Sequence, residues 1–253
     1  MSPAYFGGQL NLSFPPPPPP PGGPSGWFVG STGFIAGTSW TDQITGNVLT
    51  AMGGHNGNLT SGTINGHTSA GWTSWANASY YGKSGVNMST YLSTTGWTIA
   101  AIVGPGTMGY STHLSSVTNM PMFVGDPSGN WSVGAGNDAP YFYCGAVGDE
   151  TNGSFYVGGD ISPSGSNTAN HYIIAQAYSN GSGYTISISI DGATPLTRVQ
   201  SAGTMTGMTD MFQIGAGQSS ASDCQYQGLV EELITYNSAI STSALQTYLA
   251  SRI

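Results

Sequence analysis

The side chains able to do chemistry in this chain are few. Glutamate occurs only at Glu150, Glu231 and Glu232, whereas glycoside hydrolysis needs two carboxylates at a fixed separation. Glu231 and Glu232 are neighbours inside an apolar run, Leu229 to Tyr236, and adjacent residues of a strand fall on opposite faces. The pair therefore reads against acid–base work, and Glu232 reads as a structural carboxylate hydrogen-bonded near one end of the fold. His55, His67, His113 and His171 show no metal-ligand spacing, and neither Cys144 nor Cys224 lies near one of them in sequence. No nucleophile elbow and no phosphate-cradling loop occurs. Two sets remain. Asp149, Glu150, Asp160 and Asp223, with Asn152 nearby, offer the oxygen ligands a calcium ion takes; acids that merely keep loops soluble are the other reading. Trp131, Tyr141, Tyr143 and Tyr156 offer flat faces for a sugar in a region rich in Gly, Asn and Asp, suited to the loops where binding residues concentrate. Aromatic side chains filling a core are the alternative there.

The elements that must position these residues are short. From Trp27 onward, apolar runs alternate with Gly, Asn, Ser and Thr clusters, which predicts an all-β sandwich or barrel. The clearest strands are Trp97 to Val103, Tyr172 to Tyr178, Tyr184 to Ile190 and Leu229 to Tyr236. In Tyr184 to Ile190 the apolar residues share one face and Thr185, Ser187 and Ser189 the other, which predicts a half-buried strand with one face wet. Asp191-Gly192 after it is a tight-turn signal. Near the end, Ala244, Leu245, Tyr248 and Leu249 form one stripe at helical spacing, with Ser241 as the expected cap.

Charged residues are only 6 % of the chain, and Lys83, Arg198 and Arg252 stand against eleven acids for a net charge of −8. With so few cations, neither nucleic acid nor an anionic membrane surface is a fitting partner. The 38 % hydrophobic and 11 % aromatic content still supports a packed core rather than disorder. Residues 1–14 carry an apolar arm, Tyr5, Phe6, Leu10, Leu12 and Phe14, whose last three alternate with polar residues as in a single strand that either docks on a partner's sheet or folds back onto its own domain. This start does not read as a secretory signal. Seven prolines, Pro15 to Pro21, follow; as a polyproline II rod they would span about 20 Å. The expected organisation is an arm at 1–14, a proline/glycine spacer at 15–26 and one domain at 27–253. Cys144 and Cys224 could pair, or both be small buried side chains.

The closing segment, Gly228 to Arg252, with Gly228, Glu232, Tyr236 and Asn237 ahead of a short helix ending in Tyr248-Leu249, resembles the last core strand and helix of laminin-G-like or concanavalin-A-like jelly-roll domains. Tyr172 through Asp191-Gly192 is similar to the hairpin of the same family. The resemblance implies a two-sheet antiparallel jelly-roll sandwich with one short C-terminal helix and an extended N-terminal arm. It also implies a calcium ion near edge loops in members that bind glycans. The E-x-D-x-x-E pattern of its glucanases is missing here, so a non-enzymatic protein is expected.

An exterior-type composition without an export signal fits a virion component, and a bacteriophage structural protein is the leading expectation. The arm would dock on a capsid or tail protein. The jelly roll, on the virion surface, would meet a host polysaccharide or serve as passive decoration. An apolar arm on a sandwich suits a homo-oligomer. The alternative is an extracellular carbohydrate-binding or adhesion domain of a cell.

Overall fold

The computed structural model describes residues 17–53, 58–73, 79–104, 122–125, 131–136, 141–146, 156–160, 169–200, 208–215 and 228–253, the four segments between 122 and 160 by their backbone. The arm residues Tyr5, Phe6, Leu10, Leu12 and Phe14 lie outside these ranges.

The chain runs through β1 (Gly26–Val29), β2 (Phe34–Ile35), β3 (Ser39–Thr41), β4 (Val48–Gly53), β5 (Leu59–Ile64), β6 (His67–Trp72), β7 (Ser79–Asn87) and β8 (Gly96–Val103). It continues through β9 (Met122–Gly125), β10 (Trp131–Gly136), β11 (Tyr141–Ala146), β12 (Tyr156–Asp160), β13 (His171–Ser179) and β14 (Tyr184–Ile190). The last elements are β15 (Leu196–Gln200), β16 (Met211–Ile214), β17 (Leu229–Tyr236) and the helix α1 (Ser243–Ala250). The described strands form two antiparallel sheets. The eight-stranded one has the order β15-β14-β13-β8-β17-β6-β5, with β1 also paired to β17. The nine-stranded one runs β12-β11-β10-β9-β16-β7-β4-β3-β2. This is the sandwich the alternation predicts. The turn after β14 forms as its residues demand: Asp191 and Gly192 both take positive φ, 51° and 75°, the backbone that a tight hairpin needs at both central positions.

Between the sheets lies a core rich in rings, including Phe28, Trp40, Tyr81, Trp97 and Phe212. Phe28 meets Trp40 edge-on at 6.0 Å between centroids and stacks on Phe212 at 5.9 Å, arrangements that suit the charge distribution of the rings. A second apolar cluster lies on the far face of the eight-stranded sheet. There Ala100, Ile102, Tyr172, Ile174, Ile234 and Tyr236 pack with Leu245 and Leu249 of α1. The eight-stranded sheet is thus covered on both faces, which is why every residue of β8 is buried. The far face of β14 is closed as well. Thr185, Ser187 and Ser189 are buried rather than wet, and the Ser189 hydroxyl donates to the Ala193 carbonyl at 2.7 Å. The helix begins at Ser243, two residues after the expected cap, with Thr242 in the N-cap position and no side-chain capping bond.

The described part of the proline run lies on the domain instead of standing clear of it. Pro17 and Pro20 are buried while Pro18 and Pro19 are exposed. A polyproline II helix has three residues per turn, so the two buried rings share one side of it.

Candidate functional site

Cross-strand pairing fixes which face each residue of the nine-stranded sheet occupies, because directly paired residues lie on the same side. One row of partners runs Ala51, Tyr81, Ile214, Val124, Val133, Cys144, Val157 across the seven strands β4, β7, β16, β9, β10, β11 and β12. Tyr81 and Ile214 are fully buried members of the inter-sheet core, so this is the inner row. The next row, Thr50, Gly82, Gln213, Gly125, Ser132, Gly145, Tyr156, belongs to the opposite, outer face.

Side chains alternate along a strand, and the candidate aromatic residues sort accordingly. Tyr141 and Tyr143 are on the outer face with Gly145, and Tyr156 joins them as the partner of Gly145. Asp160, the partner of Tyr141, is on that face as well. Trp131, paired with Ala146, is on the inner face with Val133. Tyr143 has Gly134 and Gly158 as its two cross-strand neighbours, and Tyr141 has Gly136 on one side. In the same outer row, the amide of Gln213 is fully buried, and neither its Nε2 nor its Oε1 has a hydrogen-bond partner among the described residues. Of the acids expected to offer calcium ligands, Asp149, Glu150 and Asp223 lie outside the described residues, as does Cys224. Among the described residues no group of three or more His, Cys, Asp or Glu comes together around a metal-sized space.

The two C-terminal glutamates do not part to opposite faces. The pairing of β17 with β8 shifts register between Val230 and Glu232, leaving Glu231 as the extra residue of a bulge, and a bulge re-aims side chains. Both carboxylates consequently meet Arg252. Its Nη2 donates to Glu231 Oε1 and its Nε to Glu232 Oε2 at 3.4 Å. Glu232 Oε1 also accepts from Trp27 Nε1 and from the Tyr248 hydroxyl, each at 2.6 Å. Both glutamates are fully buried. Burial pushes the Glu231 carboxyl up to about 7, against the pull of Arg252 and with a further push from Glu232. Burial raises Glu232 too, opposed by the donors of Tyr248, Arg252 and Trp27. Walled in and engaged, this pair has no approach to a glycosidic bond. Glu232 is thus the structural, hydrogen-bonded carboxylate expected from its place in the strand, while the part of Arg252 was not expected. The available signal was that two carboxylates in an apolar strand require a cation, and the chain has only three. His171, for its part, pairs through Nδ1 with Asp191 Oδ2 at 2.6 Å beside the β14 turn.

The described strands form a two-sheet antiparallel β-sandwich, and solved structures share that fold. Domain 4 of an extracellular arabinanase from Geobacillus stearothermophilus, solved with arabinotriose, is similar with a TM-score of 0.53 and 15 % identity over 82 % of this chain and 91 % of that one. A Trypanosoma rangeli sialidase solved with sialic acid gives a TM-score of 0.54 and 13 % identity over 90 % of this chain, which spans 32 % of the sialidase. The receptor-binding domain of botulinum neurotoxin type G gives 0.54 and 11 % identity, over 91 % of this chain and 51 % of that one. At these identities the likeness is one of fold. No family model matches the sequence, and no curated protein matches it.

Proposed function

We propose that this chain is a non-enzymatic carbohydrate-binding sandwich displayed on a virion surface, its outer tyrosine face meeting a host polysaccharide. The observation that carries the glycan reading is the register that gathers Tyr141, Tyr143, Tyr156 and Asp160 on one face of the sheet, between glycines. Aromatic faces take the apolar side of a sugar ring while neighbouring polar groups fix its hydroxyls. The similar arabinanase domain was itself solved with a bound oligosaccharide, which supports the choice of ligand. The virion reading rests on the apolar arm, with Tyr5, Phe6, Leu10, Leu12 and Phe14 docking on a capsid or tail protein.

A glycan array on the full chain, with calcium and again with chelator, tests the first part. Binding that survives chelation and is weakened about tenfold or more by Tyr143→Ala supports the tyrosine face. Binding lost with chelator moves the site to a calcium ion held by acids such as Asp149, Glu150 and Asp223. Silence in both conditions refutes the glycan reading. Deletion of residues 1–14 tests the second part: the shortened chain is expected to be absent from purified particles, and normal incorporation refutes docking through the arm.

A further inference from the structure

We propose that the groove between the end of β17 and α1 is a polyproline-recognition site whose resident ligand is the chain's own Pro17–Pro21. On this reading, docking in the groove determines where the N-terminal arm leaves the domain. Three observations carry it, none of them drawn from the tyrosine face. The first is phase. The buried prolines, Pro17 and Pro20, are separated by one turn of a polyproline II helix, while Pro18 and Pro19 face solvent. A chain end lying on the surface at random has no reason to bury every third ring.

The second is polar matching. Polyproline has no N–H to donate and no internal hydrogen bonds, so its carbonyls look outward for donors. The Tyr236 hydroxyl donates to the Pro21 carbonyl at 2.7 Å. The Tyr248 hydroxyl lies 3.1 Å from the Pro18 carbonyl and 2.6 Å from Glu232 Oε1. A phenol carries one proton, and the Glu232 oxygen at the shorter distance is the better-placed acceptor. Tyr236 is therefore the hydroxyl that holds the strap, and Tyr248 serves it chiefly as a wall. Aromatic walls with a hydroxyl aimed at a proline carbonyl are the physical basis of polyproline recognition in general.

The third is shape. Pro21 and Gly22 lie beside Ile240, Ser241, Ala244 and Leu245, and with them bound a residual space of about 190 Å³ that the strap does not fill. The lining is thus mostly apolar and unsuited to a charged or strongly hydrated ligand. Past it the strap ends at Gly22 and Gly23, both at positive φ, and the chain then enters β1.

Hydrogen exchange on the full chain tests the proposal, read on peptides covering α1 and residues 237–242. The double variant Pro17→Ser/Pro20→Ser is expected to speed exchange there roughly tenfold, the scale of a proline ring or two leaving apolar contact. Pro18→Ser/Pro19→Ser alters the same number of prolines on the solvent side and is expected to change it less than twofold. Synthetic heptaproline added to the first variant should restore protection saturably, and should leave the wild-type chain, whose groove is filled, unchanged. Equal effects of the two double variants would overturn the proposal. So would a first variant that heptaproline fails to protect.

Discussion

Replacing Glu231 by glutamine should stabilise the protein at alkaline pH and leave it nearly unchanged at acid pH. One oxygen of Glu231 accepts from Arg252, and the other, Oε2, is buried with no partner among the described residues. Arg252 also serves Glu232, so two buried carboxylates share a single cation. In the folded chain the Glu231 carboxyl is raised from 4.5 to about 7. Between those values the unfolded chain has released a proton that the folded chain keeps. The stability tied to this group is therefore fully present below pH 4.5 and is lost as pH rises through 7. At about 1.36 kcal/mol for each pH unit, the loss above pH 8 is roughly 3 kcal/mol. For a domain of this size that corresponds to about 6–12 °C in Tm. Glutamine keeps a carbonyl oxygen for Arg252 and cannot ionise, so Glu231→Gln removes the loss. The assay is thermal unfolding of both chains from pH 4.5 to 8.5. Charges away from the Arg252 cluster are the same in both chains, so the difference curve reports position 231 together with its coupling to Glu232. Parallel curves, or a variant less stable than wild type at pH 8.5, would refute the reasoning.

Arg252→Met should act in the opposite sense, leaving two buried carboxylates without a cation. A loss of about 3–5 kcal/mol in urea unfolding at pH 7.5 is expected, shrinking as the pH falls. Gly30→Ala should also be severe, because a Cβ there would sit 2.0 Å from the Thr68 carbonyl oxygen, a backbone atom that cannot swing aside. A loss of about 3 kcal/mol or more is expected by the same assay, and a change under 1 kcal/mol would show that the two segments can part.

The strands marked by their own composition were the most legible. β14, an alternating run, and β17, an apolar run, occur over the residues those patterns mark out, because such runs and their flanking turn residues are local properties. What the pattern did not reveal came from parts of the chain far apart in sequence. Thr185, Ser187 and Ser189 look solvated by composition, yet the folded chain closes over them. The bulge at Glu231 depends on how β17 meets β8, which no spacing within Leu229 to Tyr236 announces. At the candidate glycan site the residue types were legible, but their sorting was not. The tyrosines and Trp131 part to opposite faces through pairings that run from β4 to β12. The proline run was legible as a stiff rod, but its resting place depends on Tyr236 and α1, more than 200 residues further along.

The pairing of β1 with β17 also bears on how the molecule carries force. If the arm is anchored and the sandwich is pulled away, tension passes from the strap into β1, whose four residues pair with Glu232 to Thr235. Over those residues β17 pairs on its other side with β8, so the load enters the sheet beside a strand that is paired on both sides. The strap contacts can be drawn off one after another, whereas the rungs joining β1 to β17 lie across the line of pull and must slip together. The first would yield gradually at low force, and the second would set the force at which the domain itself gives way.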